Sequence, residues 1–379
     1  MEKITIVGGG LAGLVSAISV AEVGGRVTLH EAAPVLGGRA RTAKGPYRTN
    51  LGPHALYRHG AFETWLHERE LLPPVGFPKL TSFRLRAGGR LRRIPLPLLP
   101  AMRSAREVAP IEVDYRSWAT PRMGVRAAEV AIGFASLPTL HADPGRLSAA
   151  FVQERIRRSL VRRPVYYVLG GWARLVQALE RRASEQGVEI VTRSKLAALP
   201  AGPTIVATDL PAAARLLEEP DLCWPGPRTA MLDVALRRAR RDPSAVLDVD
   251  LRVYVSRYSA GDATLAPSGE SLLQAHTGIR DDESHRDAIQ RIERVLDAGF
   301  PRWRERCVWR QQGKVDGGAG PADPPGCDWR DRPAIDRGSG RWLAGDRVAA
   351  PGVLGEVSFE SARIAARSVA DKVLGCTLP

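Results

Sequence analysis

The sequence predicts an α/β fold in two parts: a discontinuous dinucleotide-binding domain on a parallel sheet, and a second α+β domain. Three observations predict it. A glycine-rich turn joins an apolar run to a helical stretch within the first 40 residues. Further strand-and-helix stretches stand near the middle and at the end of the chain. The segments between them change character, one rich in Pro and Arg and the other in strand-like runs.

The first element is the strand "ITIV", followed by Gly8, Gly10 and Gly13 in G-x-G-x-x-G spacing and then the helix "LVSAISVAE". Gly8 permits the tight turn, and Gly10 lets the backbone approach a pyrophosphate. Gly13 brings helix and strand together. Leu11 and Ala12 open the helix, whose N-terminus faces negative charge. Glu31 ends the next strand, 18 residues after Gly13, where an acid accepts hydrogen bonds from a ribose. An acid there also repels the 2′-phosphate of NADP. This Rossmann-like pattern calls for a dinucleotide without separating FAD from NAD.

Residues 71–163 follow, with "LLPPVGFP" and "RRIPLPLLPAM" breaking any long periodic pattern. From Val165 to Leu199, Leu175, Leu179 and Ala183 recur at helical spacing before Gly187 leads into "VEIVT". "TIVATDLPAAARLL" adds another strand and helix start. "TAMLDVALRR" and "VLDVDLRVYVSRY" are expected strands, with a helix near "HRDAIQRIERVLDAGF". The tail returns to strand, loop and helix. The expected division is 1–70, 164–225 and 335–379 for the cofactor domain, with 71–163 and 226–334 for the substrate domain.

At 379 residues the chain can bury two cores, and no apolar run is long enough to span a membrane. The first strand starts almost at Met1, which leaves no room for a signal peptide, so the cytoplasm is the expected compartment. The net charge of +14 raises the question of nucleic acid. However, 49 Arg and 6 Lys make up the 55 basic residues, a ratio that points to GC-rich bacterial codon usage. No nucleic-acid motif accompanies the charge, and no such partner is expected. The four cysteines form no C-x-x-C pair, so no metal site is expected.

Gly37, Gly38 and Arg39, a few positions after Glu31, complete a pattern that resembles the flavin-binding signature of the amine oxidase and phytoene desaturase superfamily. The resemblance implies non-covalent FAD, with the second glycine pair and Arg39 beside its pyrophosphate. It extends to "NLGPHALY", where Gly52, Pro53 and His54 would lie against the isoalloxazine ring. His54 is either a turn histidine or a group near the flavin that moves a proton. In "GGWARLVQALERRASEQGVEIVTRSKL" the resemblance implies that Leu196 presents backbone atoms to the adenine. In the tail it places Gly345 and Asp346 near the ribityl-pyrophosphate. A helix starting near Glu356 and Val357 would then aim N–H groups at flavin N1 and O2, where reduced flavin carries negative charge.

The likeness covers about half the chain and departs from the family in one respect. Many amine oxidases carry a Lys on a substrate-domain strand, whereas "RTAMLDVALRR" has none and offers only Asp233. Lys314 stands in an expected Gly-rich loop, and Cys327 is expected to be a free thiol. Tyr57, Tyr254, Tyr258 and His276 are candidates with packing as the alternative. The resemblance implies an oxidoreductase taking hydride from a small, lipophilic substrate to flavin N5. Two rivals are a flavin-dependent isomerase or mutase without net redox, and a non-catalytic FAD-binding subunit. The stretch Arg90 to Arg106 is expected to be a lid or a peripheral membrane contact.

Overall fold

The computed structural model describes residues 2–52, 54–79, 82–93, 96–161, 163–317 and 320–377, in which the strands form three sheets. The first sheet runs in the order β15 (Asp336–Gly338), β16 (Arg341–Leu343), β9 (Thr204–Val206), β1 (Lys3–Val7), β2 (Arg26–His30) and β8 (Glu189–Val191). All neighbours are parallel except β15 and β16. Helices α1 (Leu11–Glu22), α7 (Ala173–Glu185) and α11 (Gly355–Val369) join the core of this sheet, with α1 packed against both α7 and α11, α2 (Ala61–Glu68) packs on α11, and α8 (Leu210–Leu217) follows β9. Strand β1 is buried from Ile4 to Val7, as a central parallel strand covered on both faces must be. Ile4, Ile6, Leu14, Ile18 and Leu29 are fully buried, each contributing about 1.5–3 kcal/mol by removing apolar surface from water.

The second sheet has the order β14 (Cys307–Asp316), β10 (Arg228–Arg237), β13 (Glu270–Gly278), β12 (Val253–Ser256), β11 (Ala245–Asp248), β5 (Phe83–Ala87) and β6 (Arg90–Arg92). A small third sheet joins β3 (Leu56–Tyr57), β7 (Val165–Val168) and β4 (Val75–Gly76) between the two. Helix α9 (His285–Gly299) fixes which face of the second sheet is covered. Its capping box, Ser284 with Asp287, starts the helix, and Ala288, Ile289, Ile292, Val295 and Leu296 form one apolar stripe. That stripe packs on Ala230, Leu232 and Val234 of β10, with α10 (Trp303–Arg306) beside it. Side chains alternate along a strand, so Met231 and Asp233 project to the opposite face. Helices α3 (Leu99–Ser104), α4 (Tyr115–Met123), α5 (Val125–Thr139) and α6 (Ala149–Leu160) cover the other end of that face, over Leu85 and Leu247.

Three elements differ from expectation. The Pro- and Arg-rich segment contains long helices, because six of its ten prolines precede residue 101, while Pro121 and Pro138 sit in the last turns of α4 and α5. "VLDVDLRVYVSRY" is two strands, β11 and β12, which pair antiparallel around a turn that holds Arg252 at φ 55°. Lys314 lies on β14 opposite Ala230, not in a loop, with its Nζ 2.8 Å from an Asp316 oxygen. Between Arg90 and Arg106 the chain forms β6 and the short α3, leaving Leu91, Leu96, Leu99 and Met102 exposed.

Candidate active site

Four loops meet at the carboxyl ends of β1, β2, β9 and β16, the edge where open parallel sheets bind ligands. Each first-cluster glycine has a separate steric reason. Gly8 has φ 107°, and a Cβ there would stand 2.5 Å from the Ala207 carbonyl oxygen. A Cβ on Gly13 would fall 1.8 Å from the Gly8 oxygen, so helix α1 could not sit this close to the loop. Gly10 is different: nothing lies within 4 Å of its Cβ position. It leaves an open surface at the start of α1, beside Leu11 and Ala12.

Glu31 organises the rim of this surface. Its Oε2 accepts from the Gly9 N–H at 2.7 Å, and its Oε1 accepts from the Ala33 N–H at 2.7 Å. The second glycine pair packs directly on the first loop. The Gly37 N–H donates to the Gly9 carbonyl at 2.8 Å, and a Cβ on Gly38 would stand 3.5 Å from the Gly10 Cα. Arg39 then reaches across to the end of β16, with Nη1 2.5 Å from Asp346 Oδ2. Asp346 also accepts from the Gly320 N–H at 3.0 Å. Burial alone would raise the Asp346 pKa, but the Arg39 charge and these hydrogen bonds hold it below the usual carboxylate range. Gly345 is anchored by Ser361, whose Oγ bonds both its N–H and its carbonyl at 2.9 Å.

The expected helix start at Glu356 and Val357 is present, with different local bonding. The N–H groups of these two residues donate to the Val353 and Leu354 carbonyls at 3.2 and 3.1 Å. The Glu356 carboxylate is held by Arg158 at 2.7 Å and the Val353 N–H at 3.0 Å. The residue of α11 nearest the open surface is Gly355, whose Cβ position is 3.8 Å from Leu11 Cδ2 and 3.9 Å from Trp172 Cη2. Trp172 therefore joins the starts of α1 and α11. It is 4 % exposed, and its indole Nε1–H has no acceptor. Trp172 is not marked in the sequence beyond its place after the glycine pair Gly170–Gly171.

Gly52 and His54 stand next to this group, while Pro53 lies outside the described residues. The His54 ring packs edge-on against Trp172 at 5.0 Å, and its Nδ1–H donates to the Gly52 carbonyl at 2.8 Å. Burial pushes its pKa down, against the pull of the Gly52 and Arg39 carbonyls, so the ring is neutral at pH 7. Leu196 is half-buried on the segment after β8, where the Ser194 N–H donates to the Glu31 carbonyl at 2.8 Å.

A second wall faces Asn50 and Gly52 from the face of β10 and β13 opposite α9. A Cβ on Gly52, at φ 86°, would be 2.9 Å from Met231 Sδ. Gln274 Nε2 donates to the Asn50 carbonyl at 2.9 Å and to Asp233 Oδ1 at 3.1 Å. Burial pushes the Asp233 carboxyl up to about 7, although the Gln274 bond opposes it. His276, on the same face, is 2 % exposed with neither ring nitrogen partnered, and burial lowers its pKa to about 3. Tyr254 lies 5.6 Å from His276, and its hydroxyl is 3.5 Å from that of Tyr167. Tyr167 packs on Tyr258 at 4.5 Å, and the Tyr258 hydroxyl donates to the His54 carbonyl at 3.4 Å. Burial raises the pKa of all three phenols, so they are neutral donors. Residues that were separate candidates in the sequence thus form one wall. Tyr57 lies apart from it, under Arg158. No group of His, Cys, Asp and Glu able to hold a metal occurs among the described residues.

Residues 6–67 match the family described as an NAD(P)-binding Rossmann-like domain. No curated protein matches the chain. Among solved structures, an oxidoreductase from Methanosarcina mazei is similar at 19 % identity and a TM-score of 0.77, over 98 % of this chain and 100 % of that one. Cyclohexylamine oxidase from Brevibacterium oxydans is similar at 15 % identity and a TM-score of 0.74, over 98 % and 99 %. Reduced UDP-galactopyranose mutase is similar at 15 % identity and a TM-score of 0.71, over 99 % and 96 %. Over almost its full length the chain therefore shares its fold with an oxidoreductase, an amine oxidase and a mutase, and it opens with a Rossmann-like domain.

Proposed function

We propose that the protein is an FAD-dependent oxidoreductase that binds FAD non-covalently and takes hydride from a small organic substrate. The observation that carries this reading is the meeting of Leu11, Trp172 and Gly355 beside the open Gly10 surface. An orphaned, buried indole N–H and a glycine cradle between two helix starts suit a large polar ligand with an anionic centre. Glu31 would accept from a ribose, and Gly8 to Gly10 and Gly38 would admit the pyrophosphate, with Arg39 held over them by Asp346. The positive end of α11 would favour the charge that a reduced flavin carries. When bound, the isoalloxazine ring supplies the hydride acceptor.

The chain's own contribution is orientation and exclusion of water. His54 is a positioning residue in this reading, because it ties Gly52 to Trp172. Asp233, Gln274, His276 and the three tyrosines would contact the substrate. This wall is aromatic and hydrogen-bonding, so the substrate carries a polar group on an otherwise apolar body.

The fold shared with UDP-galactopyranose mutase supports a second reading, rearrangement without net redox. Purification and acid precipitation test the cofactor: the protein should be yellow, with FAD released to the supernatant. Anaerobic mixing with amines, cyclic ketones and polyenes should bleach the flavin with one class. A colourless protein that also fails to take up added FAD overturns the proposal. Bound flavin that no class bleaches moves the second reading ahead.

A further inference from the structure

A cleft of about 400 Å³ lies away from the glycine cradle, between the segment before β5 and the strand ends of the second sheet. Among the described residues, Lys79, Arg238 and Arg257 are its charged lining, Ser82, Ser244 and Ser259 supply hydroxyls, and no acid lines it. The carboxylates beside it are engaged elsewhere: Asp242 is held by Arg306 at 2.8 and 2.9 Å, and Asp262 accepts from the Gly170 N–H and from Thr264. Arg257 spends Nε and Nη2 on the Pro243 and Asp242 carbonyls, at 3.0 and 3.1 Å, which fixes the guanidinium in place. Burial lowers its pKa against the pull of Asp242, and the Arg238 charge lowers it further, so two cations repel each other across this space.

The hydroxyls are equally prepared. Ser82 Oγ accepts from the Ser244 N–H and Ser259 Oγ accepts from the Leu272 N–H, both at 2.9 Å, leaving each O–H to donate elsewhere. Ser244 is 5 % exposed, and its Oγ has no partner. A buried orphan hydroxyl is costly unless an acceptor arrives, and the three cations around it favour an anionic one. We infer that this cleft binds the phosphoryl group of a small molecule. A compact oxyanion with several acceptor oxygens satisfies an Arg fork, a Lys point charge and serine O–H donors together. The volume is that of a small-molecule site rather than of an ion alone. The site is one residue from the proposed substrate wall, since Ser259 follows Tyr258.

Isothermal titration of the purified protein at low salt, with inorganic phosphate and separately with phenyl phosphate, tests the inference. Saturable binding at one site per chain is expected for both probes. Tighter binding of the ester identifies a phosphorylated organic ligand, and equal binding identifies free phosphate; both support the site. The Lys79→Ala, Arg238→Ala double variant should bind about tenfold or more weakly. Both residues are exposed, so the fold should hold. Arg286→Ala, exposed on α9 and outside the cleft, should bind as the parent does. Non-saturable binding, or an equal loss in the Arg286 variant, would reduce the effect to the net positive charge and overturn the site.

Discussion

Arg39 Nη1 lies 2.5 Å from Asp346 Oδ2, joining the loop after β2 to the end of β16 across 307 positions of sequence. The pair holds two walls of the glycine cradle at a fixed separation. Asp346 is 13 % exposed and Arg39 41 %, so the interaction is screened on one side only. Removing Arg39 strands a largely buried carboxylate, which costs more than removing an exposed ion pair.

Arg39→Ala should therefore destabilise the protein by about 1–3 kcal/mol at pH 7, a value discounted for the exposed guanidinium. The Asp346 pKa is lowered in the folded chain, so the pair's stabilisation is present above the unfolded carboxylate pKa and lost as pH falls through the folded one. Thermal unfolding at pH 7 and pH 3 checks this. The deficit of Arg39→Ala should shrink at the lower pH, and an equal deficit at both would remove the charge from the explanation.

Glu31→Ala should weaken FAD binding by about one to two decades, because charge-assisted bonds worth about 1.5–3 kcal/mol disappear. The same carboxylate holds the Gly9 and Ala33 N–H groups, so a modest loss of stability should accompany it. Glu31→Gln separates the effects: it keeps one acceptor for the loop and removes the charge. Titration of each flavin-free variant with FAD is the measurement, and an unchanged dissociation constant in both would place Glu31 in the loop alone.

The cradle was more legible in the sequence than the wall facing it, for a physical reason. Gly8, Gly13 and Glu31 act through turns and contacts set within one βαβ unit, so their spacing carries the geometry. Asp233 meets Gln274 only because β10 and β13 pair antiparallel in that register, 41 residues apart. The run from Ala230 to Leu236 is apolar apart from Asp233 and gives little alternation from which to assign the faces. Trp172 is hidden in another way: its meaning depends on Gly355 and Leu11, which only tertiary packing brings to the indole. Helix α5 is masked in the sequence by the prolines of its segment, Pro138 in its own last turn among them, which outweigh an ordinary apolar pattern.

Asp233→Asn should flatten the pH dependence of stability on its alkaline side. The folded carboxyl titrates near 7 and a free one near 4, so the folded chain holds the extra proton between these values. Its stabilisation is complete below pH 4 and lost as pH rises to about 7. His276 has the opposite sign: its folded pKa of about 3 makes its contribution full above 6.5 and lost as pH falls to 3. Melting temperatures should thus match at pH 4 and favour the Asn variant at pH 8. A variant no more stable than the parent at pH 8 would mean that Asp233 is solvated.

Trp172→Phe tests the cradle with opposite expectations for its two states. The ring contact with His54 survives the change, while the indole N–H is removed. In the flavin-free protein that N–H is buried without an acceptor, a condition costing about 1–3 kcal/mol, so the variant should be at least as stable as the parent. If the N–H donates to the bound cofactor, the variant forgoes a bond worth about 0.5–1.5 kcal/mol, and FAD should bind about two- to tenfold more weakly. Thermal unfolding of the flavin-free form and FAD titration give the two readouts independently. Greater stability with unchanged affinity would leave the N–H an orphan in both states, and the ligand would then have to meet this cradle without touching Trp172 Nε1.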